Sequence, residues 1–377
     1  MARLKVVTFV GTRPELIKLS RVIAELRAHT DHTLVHTGQN YDHELNQIFF
    51  DELELGQPER FLAAAGGTAA ETIGNVIAKA DALLVEERPD AVLLLGDTNS
   101  GLAAISAKRR RIPVFHMEAG NRCFDDRVPE EINRRIIDHV SDVNLPYTEH
   151  ARRYLLVEGL PPDRVIVTGS PMGEVLEHYR PKIDRSDALA RLGLEPRRYC
   201  VASAHREENV DDPLRLAALL ESLNAVAERT GTPLIVSTHP RTRKRLEDHG
   251  GLPAPNPALR FLPPLGFPDW VRLEREALCT ISDSGTLTEE SAILGFPAVM
   301  IREAHERPEG MDRGTLVMSG LRAERVLQAL DVVLAHAAGG LQPFRRPPDY
   351  ETEPVSKKVL RLILSYVDYV RRTVWFA

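Results

Sequence analysis

Cysteine is scarce in this chain: three residues in 377, Cys123, Cys200 and Cys279, odd in number, far apart and without a CxxC pair. Such spacing argues against a disulfide framework and a zinc ribbon, and it fits a reducing compartment. HExxH does not occur and the histidines have no cysteine partners at ligand spacing, so no metal is expected. GxGxxG and GxxxxGK are also missing, which leaves a nicotinamide, a flavin or a Walker-bound nucleotide without its usual fingerprint; no cofactor is expected. Positive charge is not in excess either, because 48 Lys and Arg stand against 54 Asp and Glu, a net charge of −6. There is no global field to collect nucleic acid or an acidic lipid surface, so an anionic ligand has to be gripped locally. No stretch approaches the ~20 apolar residues that span a bilayer. The opening MARLKVVTFV runs into a strand pattern with no cleavable signal, so the reading is a soluble cytoplasmic protein with no membrane partner.

What is present is ordinary for a globular enzyme: 43% hydrophobic and 27% charged residues, in a chain about twice the length of a typical domain. Two domains are therefore expected. Short apolar runs alternate with longer amphipathic stretches, the pattern of βα units wound on a parallel sheet. In the first half the predicted strands are 5–10, 32–36, 91–95, 112–117, 143–145 and 164–168. A helix is predicted over 70–87, where Ile73, Val76, Ile77, Ala80 and Leu84 recur at spacings of three and four. The second half restarts with strands at 199–204, 233–238, 259–263, 278–282 and 297–301 and a helix over 214–229. Between the halves, 179–198 is charged and carries Pro181 and Pro196, which makes it the hinge candidate. A last amphipathic run, 356–374, follows RRPPDYETEP and has no strand after it, so it is predicted to return to the first domain. The expected division is 1–178 with 356–377, and 179–355. Neither a low-complexity tract nor a short repeat is present.

In doubly wound sheets ligands bind at the carboxyl ends of the strands, where turns into helices expose backbone N–H groups. Polar residues gather at seven such ends: GTRPE (11–15), TGQ (37–39), GDTNS (96–100), HMEAGNR (116–122), SAHREEN (203–209), STHPRTR (237–243) and SDSGT (282–286). Capping explains Gly11, Thr12, Pro14 and Glu15 but not Arg13, whose guanidinium suits a phosphate beside a helix N-terminus. Asp283-Ser284-Gly285-Thr286 makes a second small-residue turn whose N–H groups suit a diphosphate or a plain cap. Asp97, Glu118, Glu130, Glu131 and His205 are ionisable groups at or near these turns. Taken singly, each carboxylate reads as solvated or capping. Asp97 and Glu118, however, directly follow apolar strands, where a charge must face a cleft or be buried with a partner, and such positions favour acid–base work. The basic runs 108–111 and 241–245 read as solvated helix faces.

The ordered set GTRPE with Lys18, TGQ, GDT, HMEAGNR, PEEINRR, TGSP, HREEN, DSGT-x-x-EE and ERPEG resembles the non-hydrolysing UDP-N-acetylglucosamine 2-epimerases, and it extends from Gly11 to Gly310. The resemblance implies two Rossmann-like domains in a GT-B arrangement, an active site in the cleft between them, and a homodimer. It implies that Arg13 and Lys18 belong to a phosphate-side motif, that Asp97, Glu118 and Glu130 are the catalytic carboxylates, and that His205 is the active-site histidine. Ser284, Gly285, Thr286, Glu290 and Arg307 fall at positions that hold UDP, Glu290 on the ribose hydroxyls and Arg307 near the diphosphate. One departure is plain: the family's usual second glycine after Asp-Ser-Gly is Thr286 here. MEAGNRCFDDRVPEEINRRIIDH, SAHREENV, STHPRTRKR and AHERPEG look closer to the branch that forms UDP-N-acetyl-L-fucosamine. The segment that forms an adjacent allosteric site in UDP-N-acetylglucosamine enzymes reads Thr37-Gly38-Gln39-Asn40-Tyr41, with His239 and Arg206 near it in motif terms.

The implied chemistry has a physical logic. The hydrogen on C2 of an N-acetylhexosamine is not α to a carbonyl, so its direct removal leaves a poorly stabilised carbanion. If UDP departs from C1 while a base takes the C2 proton, a 2-acetamidoglucal forms, and readdition of UDP with protonation from the other face gives the epimer. The route needs a base, an acid on the opposite face, and fixed positive or N–H groups for the diphosphate. Two other classes share parts of this pattern. A GT-B glycosyltransferase would need an acceptor groove, and a nucleotide-sugar sensor would not need three carboxylates together.

Overall fold

The computed structural model describes residues 3–38, 43–248, 256–338, 344–351 and 353–377, with backbone alone for 43–47. Gln39, Asn40 and Tyr41 of the allosteric-type segment lie outside the described residues. The chain divides into two compact units, Met1–Glu177 with Glu351–Ala377, and His178–Tyr350.

The first unit carries β1 (Lys5–Val10), β2 (Asp31–His36), β3 (Arg60–Phe61), β4 (Ala91–Leu95), β5 (Val114–Met117) and β6 (Val143–Leu145). They form one sheet in the order β3-β2-β1-β4-β5-β6, with every neighbouring pair parallel. β1, β4 and β5 are nearly apolar throughout (KVVTFV, AVLLL, VFHM) rather than alternating, because helices cover both faces of a parallel sheet. The core gathers Val7, Phe9, Val35, Leu84, Val92, Leu94 and Val114 beneath those helices. Helix Ala69–Glu87 starts where Thr68 accepts a hydrogen bond from the Glu71 N–H. The final helix, Val355–Val374, buries Val359, Ile363, Val367 and Val370 at helical spacing and packs on helix Arg13–His29. Ser356 N and Oγ donate to Glu174 at 2.9 and 2.6 Å, which fixes its start.

The second unit repeats the plan with β7 (Cys200–Ser203), β8 (Leu234–Ser237), β9 (Leu259–Leu262), β10 (Thr280–Ser282), β11 (Ala298–Met300) and β12 (Val317–Met318). Its order is β12-β11-β10-β7-β8-β9, again all parallel. Each sheet therefore has the Rossmann order, with a switch point between β1 and β4 in one and between β7 and β10 in the other. Chain direction and strand order put the turns after those four strands at each sheet's ligand-binding edge.

The structure departs from the sequence reading at three places. Residues 164–168 form no strand: a short 3₁₀ turn, Pro162–Arg164, leads into a single bridge between Val165 and Asn144. Ile166 and Thr168 do donate to the carbonyls of Asn144 and Pro146, at 2.9 Å each, but Pro146 has no N–H to answer with and the ladder stops. The hinge stretch 179–198 is largely helical, because helix Met172–Arg185 continues through Pro181 and helix Ala188–Leu192 follows it. Buried Val175, Leu176, Tyr179 and Ile183 supply the stripe that holds the first of these, and the division between the units falls inside it. β3 and β12, two residues each, were not anticipated, since so short a pairing leaves no periodicity to read. No helix among the described residues is long and apolar enough to cross a membrane.

Candidate active site

At the edge of the first sheet, β1 runs into the Gly11–Glu15 turn. Thr12 is extended and caps nothing with its side chain; instead its Oγ1 donates to Glu15 Oε2 at 2.8 Å, and Gly11 N donates to the same oxygen at 2.9 Å. The other oxygen, Oε1, accepts from Thr98 Oγ1 at 3.0 Å, so Glu15 joins the turn after β1 to the turn after β4. Burial pushes the Glu15 carboxyl up to about 7, against the pull of those hydrogen bonds. Arg13 opens the helix, half-buried, with its guanidinium 5.5 Å from the centre of the Phe49 ring.

Asp97 follows Gly96, whose φ of +69° lets the chain turn sharply off β4. Its Oδ2 receives Arg134 Nε at 2.9 Å and Nη2 at 2.6 Å. Glu118 follows β5 with φ +62°, a left-handed conformation that a non-glycine residue holds only at a cost. Lys18 Nζ lies 2.6 Å from Glu118 Oε2, and Asn121 Nδ2 donates to Oε1 at 3.3 Å. Glu130 stands half-buried in the first turn of helix Pro129–Val140, where the helix N-terminus favours a carboxylate. Its neighbour Glu131 is fully buried and accepts from Cys123 N at 3.1 Å, Phe124 N at 3.3 Å and Arg134 Nη1 at 3.0 Å. Glu131 thus pins the loop before Glu130 and orients the arginine that grips Asp97.

In the second unit, Asp283 ends β10 fully buried and gathers the turn after β7: His205 N donates at 3.1 Å, Arg206 N at 3.0 Å and Asn209 Nδ2 at 3.1 Å. The His205 ring places Nδ1 3.3 Å from Asp283 Oδ1 and lies 5.6 Å from the His239 ring, leaving the side chain about one third exposed (35%). Ser284 N donates to Ser282 Oγ at 3.0 Å, and Ser284 Oγ sits 3.0 Å from Thr286 Oγ1. Thr286 Oγ1 in turn donates to Glu290 Oε2 at 3.1 Å, so the residue that departs from the family pattern clips the neighbouring acid in place. Buried Glu274 is pushed well above the ordinary carboxylate range by burial and by the nearby charge of Glu290. Arg307 is buried; Nε donates to Gly285 O at 3.1 Å and Nη2 lies 3.0 Å from Glu289 Oε2, which supports the Ser284 turn.

The anticipated residues thus fall into two groups: Arg13, Lys18, Asp97, Glu118 and Glu130 on the first unit's sheet edge, and His205, Ser284, Gly285, Thr286, Glu290 and Arg307 on the second's. A sequence model of UDP-N-acetylglucosamine 2-epimerase matches residues 24–364, most of the chain. The chain belongs to the UDP-N-acetylglucosamine 2-epimerase family. A UDP-N-acetylglucosamine 2-epimerase structure from Rickettsia bellii shares 55% identity, covers 100% of both chains and superposes with a TM-score of 0.92. The Methanocaldococcus jannaschii UDP-N-acetylglucosamine 2-epimerase is 34% identical over 90% of this chain and 95% of its own. Its structure in complex with UDP-GlcNAc and UDP has a TM-score of 0.88, at 31% identity over 96% of this chain and 100% of that one. A third relative, UDP-2,3-diacetamido-2,3-dideoxy-D-glucuronate 2-epimerase of Pseudomonas aeruginosa, is 32% identical over 86% of this chain and 91% of its own.

For this member of the 2-epimerase family, sequence reasoning singled out the groups at the turns and left their supports without a role. Glu15, Glu131, Arg134, Asp138 and Glu289 are buried and have partners in other turns or elements; the local signals are the Thr12–Glu15 and Glu131–Arg134 spacings of three and the Gly11–Glu15 and Glu131–Arg135 spacings of four. Among the described residues no group of three or more His, Cys, Asp and Glu side chains is placed to hold a metal ion.

Proposed function

We propose that this chain inverts C2 of a UDP-N-acetylhexosamine by eliminating UDP to a 2-acetamidoglucal and adding it back on a reprotonated C2. The observation that carries the reading is the set of carboxylates after β4 and β5 of the first unit: Asp97 held by Arg134, Glu118 held by Lys18, and Glu130 at a helix N-terminus. Proton removal on one face and delivery on the other need at least two such groups with separate partners. UDP departure needs what the second unit offers: the Ser284-Gly285-Thr286 turn, Arg307 behind it, Glu290 for the ribose hydroxyls and His205 for developing charge. The reaction requires both sets to act on one substrate molecule. Which carboxylate serves which face is left to the partition experiment below.

UDP-N-acetylglucosamine is the substrate favoured by the names of the relatives. A second reading, a 6-deoxy UDP-N-acetylhexosamine giving UDP-N-acetyl-L-fucosamine, draws on the MEAGNRC, STHPRTRKR and AHERPEG segments, and the Pseudomonas relative's name describes a sugar altered at C3 and C6. The homodimer, implied by the resemblance, and the cytoplasmic location, read from the sparse cysteines without a CxxC pair, belong to the same proposal. Incubation with each UDP-sugar alone in deuterium oxide tests it: the epimer should form without acceptor, metal or nicotinamide, and carry deuterium at C2. Sugar transfer that occurs only when an acceptor is added, or binding without turnover of any UDP-sugar, would replace it with a transferase or a sensor.

A further inference from the structure

The turns after β4 and β5 carry Asp97 and Glu118, and both residues lie past the last backbone bond of that strand pair, Gly96 N to Met117 O at 3.0 Å. What holds the two turns beyond that bond is a side chain. His116, fully buried in β5, places Nε2 2.7 Å from Gly96 O. A carbonyl oxygen only accepts, so Nε2 is the donor and the bond ends one residue before Asp97. On the other side of the ring, Nδ1 lies 2.9 Å from Asp138 Oδ1. Asp138, fully buried in helix Pro129–Val140, also accepts from Gly120 N at 3.2 Å and from Arg122 Nη1 at 2.7 Å. Arg122, itself 2% exposed, is locked by Glu158 at 2.8 and 2.6 Å. Glu118, at φ +62°, therefore sits between His116, whose Nε2 donates to Gly96 O, and Gly120, whose N–H donates to Asp138.

We infer that His116 is a positioning residue that, with Asp138 behind it, sets the placement of Asp97 relative to Glu118. The inference rests on the proposed elimination and readdition. Its physical content is that proton transfer tolerates little error: a shift of about 1 Å in a reacting group costs on the order of 100-fold in rate. The ring touches no substrate in this account and acts through the two turns. A conformation as strained as that of Glu118 persists only where surrounding bonds over-determine it, and the Asp138 hub supplies them.

The test compares His116→Asn, which loses the reach to Gly96 O, with His116→Gln, whose amide nitrogen can occupy the place of Nε2. In the parent, turnover of a UDP-N-acetylhexosamine, KM, the glucal-to-epimer ratio and the dissociation constant for UDP are measured first. An inactive parent overturns the functional reading itself. With an active parent, His116→Asn should lower kcat at least tenfold, leave KM and UDP affinity within twofold, and raise the share of free glucal; His116→Gln should recover kcat to within threefold of the parent. Unchanged kcat in His116→Asn overturns the inference, and so does an equal loss in both variants with their folds intact. If His116→Asn does not fold, His116→Gln decides by its kcat, and failure of both to fold assigns His116 to stability and overturns the positioning role.

Discussion

Lys18 Nζ and Glu118 Oε2 are 2.6 Å apart, the lysine side chain 5% exposed and the glutamate 12%, joining the first helix of the chain to the strained turn after β5. The sequence resemblance put Lys18 on the phosphate side and Glu118 among the carboxylates. In the fold they form one largely buried ion pair. Removing one partner of a buried pair leaves an uncompensated charge, whereas removing both can be nearly neutral. Lys18→Met should destabilise by about 3 kcal/mol in urea unfolding, and Lys18→Met with Glu118→Gln by clearly less. Additive losses in the double variant would show that the pair is not coupled.

Asp97 Oδ2 is gripped by Arg134 through both Nε and Nη2. Asp97→Asn keeps its shape and lowers its basicity, and should slow epimer formation by roughly 100-fold or more if it transfers a proton in the transition state. Its ratio of free glucal to epimer, compared with those of Glu118→Gln and Glu130→Gln, assigns the half-reaction each group serves. Parent-like turnover in all three variants would remove these carboxylates from the proton transfers.

Arg307 has an observed role in supporting the Ser284 turn and a proposed one at the diphosphate, and the two separate experimentally. Its guanidinium is buried against Glu289 and Gly285 O, so Arg307→Ala should cost about 3 kcal/mol of stability by removing the buried cation that faces Glu289. If it also faces the diphosphate, UDP affinity should drop by about 2 kcal/mol, roughly 30-fold, read by calorimetry well below the unfolding transition. A stability loss with unchanged UDP affinity would make Arg307 a support of the turn and no more.

Glu15 gives the pH dependence of the fold a definite sign. Its carboxyl is raised from 4.5 to about 7 by burial, so between those values the folded chain holds a proton that the unfolded chain has lost. Its contribution is therefore fully present below about pH 4.5 and is lost as pH rises through about 7, by about 3 kcal/mol. Glu15→Gln removes that titration. The difference in unfolding free energy between parent and variant, measured from pH 5 to pH 8, should move in the variant's favour as pH rises, and a constant difference would show that Glu15 titrates at its ordinary value.

Much of this molecule was legible in its sequence because the signals are local. Short apolar runs such as AVLLL between turn residues read as strands covered on both faces, their alternation with amphipathic helices specifies parallel βα winding, and Arg13, Asp97, Glu118, His205 and Ser284 follow the carboxyl ends of such strands. The segment 164–168 misled because its apolar pattern is right, while the failure of its ladder depends on Pro146, a residue of the neighbouring chain segment. Tertiary structure alone decided the partners. Arg134 on Asp97, Lys18 on Glu118, His116 on Gly96 O and Tyr350 on Glu309 link positions from 20 to 100 residues apart. Composition and periodicity report which face of an element is buried, not which buried charge meets which. That pairing is fixed by strand order: once β4 and β5 lie side by side, with β1 on the far side of β4, the groups at their ends are within reach of one another, and burial makes each require a partner.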